Sequence, residues 1–405
     1  MKRRFLFVSA LAGILAFTAC EKETTVDVVN PENEVLELTD PMNGEIIPGQ
    51  YIVVLNDDAA KFKSASGASY SERVNEVKAF AESMLRTKSS GFEVQKAYAQ
   101  VLKGFSVKMS EEDMEVLKKD GRVKYIEPDM HIMRPPWENP DDGDDDPSGG
   151  QEVPYGIARV GYGSGVGKVA WIIDTGIDLD HEDLNVDGSR GFNAFERGPD
   201  AGTLDDKNGH GSHCAGTVAA LDNEVGVVGV AAGATVIPVK VLDKRGSGST
   251  SGVIAGVDYV AAHASAGDAA NMSLGGGVSE TLDNAVIAAS NNGIYFALAA
   301  GNESDDANNH SPARAEGQYI WTISAMDSND YFASFSNYGN PPVDFCEPGV
   351  NIKSTWSEGG YNTISGTSMA APHMCGILLM TNGSPKTDGY VNGDPDGNPD
   401  PIGHI

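Results

Sequence analysis

Two folded units of different kinds are predicted for this chain: a small α+β domain at residues 49–133, then a larger α/β domain at 151–405 whose mostly parallel sheet carries helices on both faces. Two patterns carry that expectation. In the larger part, apolar β-rich runs alternate with helical stretches, which is how a parallel sheet covered by helices is written in sequence. In the smaller part, elements follow in the order βαββαβ, and a run of proline, glycine and aspartate separates the two parts.

The small domain is read element by element. Tyr51 to Leu55 is a strand, and Val74, Val77, Phe80, Ala81 and Met84 recur at helical spacing between Ser71 and Leu85. Phe105, Val107 and Met109 alternate as in a half-buried strand, following a partner around Phe92 to Tyr98. Ser110 with Asp113 three residues on reads as a capping box for a helix through Leu117, which Asp120-Gly121 ends before a last strand, Val123 to Ile126. Pro135-Pro136, the acidic run 141–146 and Pro147-Ser148-Gly149-Gly150 then form an extended linker over 134–150, open to proteases. Beyond it come Lys168 to Ile173, His210 to Leu221, Thr235 to Leu242, Ser251 to His263 and Ile294 to Ala300, with functional groups expected at the carboxyl ends of the strands.

Composition narrows the function. With 29 basic against 58 acidic residues the formal net charge is -29, which argues against a nucleic-acid partner, since phosphate affinity needs clustered Lys and Arg. Four cysteines in 405 residues do not make a disulfide framework. Lys2, Arg3 and Arg4 precede a short apolar run from Phe5 to Phe17, the pattern of an export signal over 1–20. Its end, Phe17-Thr18-Ala19-Cys20, resembles the lipobox of bacterial lipoproteins, so Cys20 is the expected lipidation site, with ordinary signal cleavage as the alternative. Residues 21–48 are polar and acidic and read as a tether.

Three segments carry chemistry. Val169-Ala170-Trp171-Ile172-Ile173 is a buried central strand that delivers Asp174 at its carboxyl end, where a desolvated carboxylate needs an N–H partner. Read alone, Asp174 is also compatible with a turn-initiating residue. Asn208-Gly209-His210-Gly211-Ser212-His213 sets His210 among small residues at a helix start; zinc is disfavoured because no His-Glu-x-x-His spacing exists. Gly366-Thr367-Ser368-Met369-Ala370-Ala371-Pro372-His373 opens an apolar helix, with Pro372 expected in its first turn. Ser368 at a helix amino terminus has free backbone N–H groups nearby to favour an oxyanion, although an N-cap serine would look similar.

Together these segments resemble the active-site motifs of the subtilase family of serine proteases, most nearly those of proteinase K and subtilisin. The resemblance implies a subtilisin-like fold and a secreted serine endopeptidase in which Ser368 forms an acyl-enzyme, His210 moves its proton and Asp174 orients the histidine. It further implies that Asn302, in Ala299-Ala300-Gly301-Asn302, donates to the oxyanion. Ser273, Leu274 and Gly275 would line one edge of the substrate cleft and Gly246, Ser247 and Gly248 the other, pairing with substrate main chain. Glu303 reads as a solvated carboxylate at the rim of the pocket for the residue before the cut bond; admission of Lys or Arg is the alternative reading.

Structural calcium is implied in the same way. The side chains of Gln151, Asp183 and Asn223 with the carbonyls of Leu221, Val225 and Val227 match a tight site, and Asp344 with the carbonyls of Gln318 and Ile320 matches a second. Asp394, Asp396, Asn398 and Asp400 read as a solvated tail. Cys214 reads as packing, and Cys346 and Cys375 as free thiols with a bridge as the alternative. Residues 49–133 resemble the family's inhibitory propeptide, a ferredoxin-like domain carrying Tyr125-Ile126-Glu127-Pro128-Asp129. The chain would then be a monomeric, self-processing zymogen, exported to the cell envelope or beyond, acting on protein substrates and inhibited by its own propeptide. The rival readings are a catalytically inactive surface binding lipoprotein and a standalone inhibitor at the N-terminal domain.

Overall fold

The computed structural model describes residues 42–58, 67–89, 91–135 and 150–405. The export signal, Cys20, most of the tether and most of the acidic linker lie outside the described residues.

The small domain has the expected order, with helices Tyr70–Leu85 and Glu111–Leu117. Its strands pair antiparallel in the sheet order Val123–Met133, Ile46–Leu55, Gly104–Met109, Phe92–Tyr98. Val53, Leu55, Ala81, Leu85, Phe105 and Leu117 form its core. Ser110 caps the second helix by accepting from the Asp113 N–H, while a full capping box, unforeseen in the sequence, joins Ser69 and Glu72 at the first. The last strand runs to Met133 rather than stopping at Ile126, because its second half pairs with Ser247–Ser249 of the larger domain. Within that strand, the carboxylates of Glu127 and Asp129 find partners at helix starts of the larger domain.

Among the described residues the larger domain carries a nine-stranded sheet. Seen from its edge the order is Lys386–Tyr390, Pro401–His404, Val343–Pro348, Ile320–Met326, Tyr295–Ala299, Ala269–Met272, Val169–Asp174, Thr235–Lys240, Phe192–Asn193. Every pairing is parallel except the edge pair formed by the last two strands of the chain. Helices cover both faces, as predicted. Along Val169–Asp174, Ala170 and Ile172 pack toward the helices His210–Ala219 and Thr367–Thr381, whereas Trp171 and Ile173 pack toward Thr250–His263 and Glu280–Ser290. Period-two alternation with both faces buried explains why this strand reads as a continuous apolar run.

Two expectations need correction. The acidic tail is not simply solvated: Asp396 and Asn398 are exposed, but Asp400 is buried, accepting from the Ser324 hydroxyl and from Asn340 Nδ2, and its flanks are the two edge strands. Burial pushes the Asp400 carboxyl up to about 6. Its polarity hid the fact that Val391 and Ile402, on either side of it, are core. Pro372 lies in the second turn of its helix, not the first, since that helix begins at Thr367.

Candidate active site

The Val169–Asp174 strand ends at the fully buried Asp174, whose Oδ1 accepts from the Thr175 N–H at 2.7 Å and from His210 Nδ1 at 2.8 Å. His210 opens the His210–Ala219 helix, which lies against the strand end because its neighbours are glycines. Gly209 has φ +103°, which a side chain would strain, and a Cβ on Gly211 would stand 2.1 Å from the Gly176 carbonyl oxygen. Thr175 Oγ1 accepts from the Gly211 N–H at 2.9 Å, tying strand end to helix start. Nδ1–H donation to a carboxylate leaves the other ring nitrogen facing away from Asp174, which is the tautomer a general base needs.

Ser368 is the second residue of the Thr367–Thr381 helix, and its hydroxyl donates to the Ser273 carbonyl at 3.3 Å. Pro372 cannot donate to the Ser368 carbonyl four residues back. That carbonyl is instead met by the Ser273 hydroxyl at 2.8 Å and the Cys214 thiol at 3.5 Å, so the proline costs the helix little and the nucleophile's backbone is held from outside. Asn302 lies alongside: its Oδ1 accepts from the Thr367 N–H at 2.9 Å and the Thr367 hydroxyl at 2.8 Å. This fixes the amide so that Nδ2 falls beside Gly366, at the start of the nucleophile's helix, where an oxyanion would develop. Thr175, Thr367 and the Ser273 hydroxyl were missed in the sequence; each is a polar residue next to a motif residue, a signal too common to single them out.

Asp174, His210 and Cys214 each bring a possible ligand atom within 4.8 Å of the others. Asp174 and His210 satisfy each other, and burial pushes the Cys214 thiol well up, keeping it a neutral donor rather than a thiolate ligand. Cys346 and Cys375 are free and buried. His213 is a core histidine, its Nε2 on the Ile352 carbonyl at 2.9 Å and its pKa pulled down to about 3 by burial.

The cleft residues named from the sequence converge on one strand of the small domain. Ser247 and Gly248 pair antiparallel with Met133 and Ile132, and the Arg134 N–H donates to the Gly246 carbonyl at 3.1 Å. On the other side Met133 and Gly275 exchange N–H···O bonds of 3.4 and 3.2 Å. Leu274, Gly275, Ala299, Gly301, Glu303 and His310 line a small pocket together with Pro135. Glu303 is at this pocket while half exposed, its carboxylate accepting from Asn337 Nδ2 at 2.7 Å.

The two domains also meet through carboxylates, those of Asp258 and Asp129 buried, that no local pattern announces. Asp258 accepts from the Ala99, Gln100 and Val101 N–H groups and from the Tyr70 hydroxyl. Asp129 accepts from the Ser251 N–H and hydroxyl, and Glu127 from the Ser279 hydroxyl and Thr281 N–H, each at a helix amino terminus. Burial raises the carboxyls of Asp129 and Asp258 above their usual range.

The residues expected from the sequence to hold calcium come together as well. Gln151 Nε2 donates to the Leu221 carbonyl at 2.7 Å and the Val227 carbonyl at 3.4 Å, and Asn223 Nδ2 donates to Asp183 Oδ1 at 2.8 Å. Asp183 Oδ2 accepts from the Val227 N–H and the Tyr361 hydroxyl, and none of these donors carries a charge. Rotating the Gln151 amide would set its oxygen beside the Leu221 and Val227 carbonyls, whereas the Asn223 amide is fixed by the Val225 N–H. The set is then oxygen-rich around a fully buried carboxylate, which fits a hard cation. Val225 contributes its N–H to Asn223 Oδ1. Asp344 stands apart, accepting from the Thr322 N–H at 2.9 Å, with burial pushing its carboxyl up to about 7.

A strand-borne aspartate bonded to a helix-borne histidine, with a serine at a second helix start, defines a serine hydrolase of α/β architecture. Comparison with known proteins narrows the class. The profile of the subtilase family matches residues 165–386, and that of the peptidase inhibitor I9 matches residues 50–133. An extracellular serine proteinase of Thermus sp. (strain Rt41A) is 38% identical over 385 residues, covering 94% of this chain and 90% of its own. A cuticle-degrading protease of Metarhizium anisopliae is 35% identical over 361 residues, covering 85% and 82%. The crystal structure of a cold adapted subtilisin-like serine proteinase is 42% identical with a TM-score of 0.51, covering 56% of this chain and 84% of that one. The chain belongs to the subtilase family. It is a serine endopeptidase preceded by an inhibitor-type propeptide.

Proposed function

We propose that Ser368 is the nucleophile of this endopeptidase, His210 its general base and then acid, Asp174 the group that orients and stabilises the imidazolium, and Asn302 an oxyanion donor. Ser368 attacks the scissile carbonyl as His210 takes its proton; the carbonyl oxygen gathers charge toward Asn302 Nδ2 and the Ser368 N–H. His210 returns the proton to the leaving amine, and water attacking the acyl-enzyme repeats the sequence. The observation that carries these roles is the 2.8 Å bond from His210 Nδ1 to the buried Asp174. Substrate adds as a strand between residues 246–248 and 273–275, reading backbone more than side chains.

The chain is proposed to be exported, with residues 1–20 as signal, Cys20 as lipid anchor, 21–48 as tether, 49–133 as propeptide, 134–150 as cleavable linker and 151–405 as a monomeric catalytic domain. Gln151, Asp183, Leu221, Asn223, Val225 and Val227 would hold a structural Ca²⁺, with Asp344 in a second site. The cation would supply fold stability and no step of the reaction. The decisive experiment compares wild type with Ser368→Ala by intact mass. Ser368→Ala is expected to keep its propeptide covalently joined while wild type separates; normal processing of the variant would overturn self-cleavage.

A further inference from the structure

Met133, Arg134 and Pro135 enter the cleft in the register of a substrate. Met133 and Gly275 exchange both main-chain bonds, which defines a hydrogen-bonded pair of an antiparallel ladder. Continuing that ladder sets Arg134 opposite Leu274 and Pro135 opposite Ser273, where the next hydrogen-bonded pair belongs. The side chains agree. Arg134 lies against Gly246 and feels the Asp174 carboxylate, and the buried Pro135 borders, with Leu274, Ala299 and Gly301, the pocket on the far side of the strand. The carbonyl presented toward Ser368 is therefore that of Pro135, and the bond after it joins Pro135 to Pro136.

That bond is unsuited to acyl transfer on both sides. Pro135 has no N–H to give the Ser273 carbonyl, and in the structure this carbonyl accepts from the Ser368 hydroxyl instead. Cleavage would break the Pro135 C–Pro136 N bond, place the acyl group on Ser368 Oγ, and require His210 to protonate the leaving nitrogen. A proline nitrogen carries a ring methylene where a secondary amide carries hydrogen, which crowds that proton transfer.

We infer that residues 133–135 are a cleavage-resistant plug: the propeptide docks in substrate register with a Pro-Pro bond at the scissile position, and the maturation cut falls at a later bond. This rests on the proposed role of Ser368. The test uses the full-length protein, comparing wild type, Pro135→Ala, Pro136→Ala and the double variant, with the amino terminus of each catalytic fragment read by mass spectrometry. Wild type is expected to yield no fragment beginning at residue 136. The double variant is expected to yield that fragment as a main product, and Pro136→Ala to yield it at a lower rate. A wild-type fragment beginning at Pro136 would overturn the inference, as would a double variant that processes at the wild-type position alone. Failure of wild type to react with a fluorophosphonate would instead strike the proposed function, so the two failures are distinguishable.

Discussion

Asp258 offers a direct measure of how the propeptide is held. One of its oxygens accepts from Gln100 N and Val101 N, both at 2.8 Å, and the other from Ala99 N at 3.0 Å and the Tyr70 hydroxyl at 2.9 Å. In Asp258→Asn one oxygen becomes an amide nitrogen that can only donate; on the side where the Tyr70 hydroxyl can turn to accept, it still loses the Ala99 bond, and the remaining bonds lose their charged acceptor. Hydrogen bonds to a charged acceptor contribute about 1.5–3 kcal/mol each and neutral ones about 0.5–1.5, so losing one bond and the charge behind the other three weakens the complex by about 3 kcal/mol or more. That corresponds to roughly a hundredfold or greater rise in the inhibition constant. The assay adds the cleaved N-terminal fragment back to mature enzyme and follows hydrolysis of a peptide amide. The kcat of the uninhibited variant should match wild type, since Asp258 bonds the small domain and not the Ser368 region. An inhibition constant raised less than about tenfold would refute the reasoning, because it would mean the buried carboxylate adds little beyond the strand pairing.

Asn302→Leu removes an oxyanion donor while leaving the cleft edges intact, and kcat should fall ~10²–10³-fold with KM little changed; peptide amide kinetics check this. Chelation should lower the melting temperature of wild type more than that of Asp183→Ala, and Ca²⁺ at ~1,000 times the dissociation constant of the Asp183 site should contribute about 4 kcal/mol through that site in wild type. Propeptide inhibition should weaken as pH rises. Burial raises the Asp129 and Asp258 carboxyls in the complex, so the complex holds more protons than the separated parts from the ordinary carboxylate range up to the raised values. Affinity is fully present below that window, lost through it and flat above, as an inhibition series against pH would read.

Much of the fold was legible because its signals are local. The continuous apolar run before Asp174, the glycines around His210 and the small residues around Ser368 each state their own environment, and their order along the chain matches one known arrangement. What the sequence concealed depends on partners far away. Asp258 meets Ala99 across 159 positions, and Asp129 meets Ser251 across 122, so neither carboxylate looks different from a solvated one. Asp400 was misread for the same reason: a carboxyl among Gly, Pro and Asp predicts solvent, yet Ser324 and Asn340 receive it inside. Pro372 was misplaced by one turn because the helix start was legible only to within a residue or two.

The proline in the second turn has a mechanical meaning for the nucleophile. Because Ser368 shares no rung with the body of its own helix at that point, fraying or flexing further along the rod need not drag the reactive oxygen with it. The serine's position is moored to a strand terminus and to the histidine-bearing segment, the two pieces relative to which its alignment must be kept.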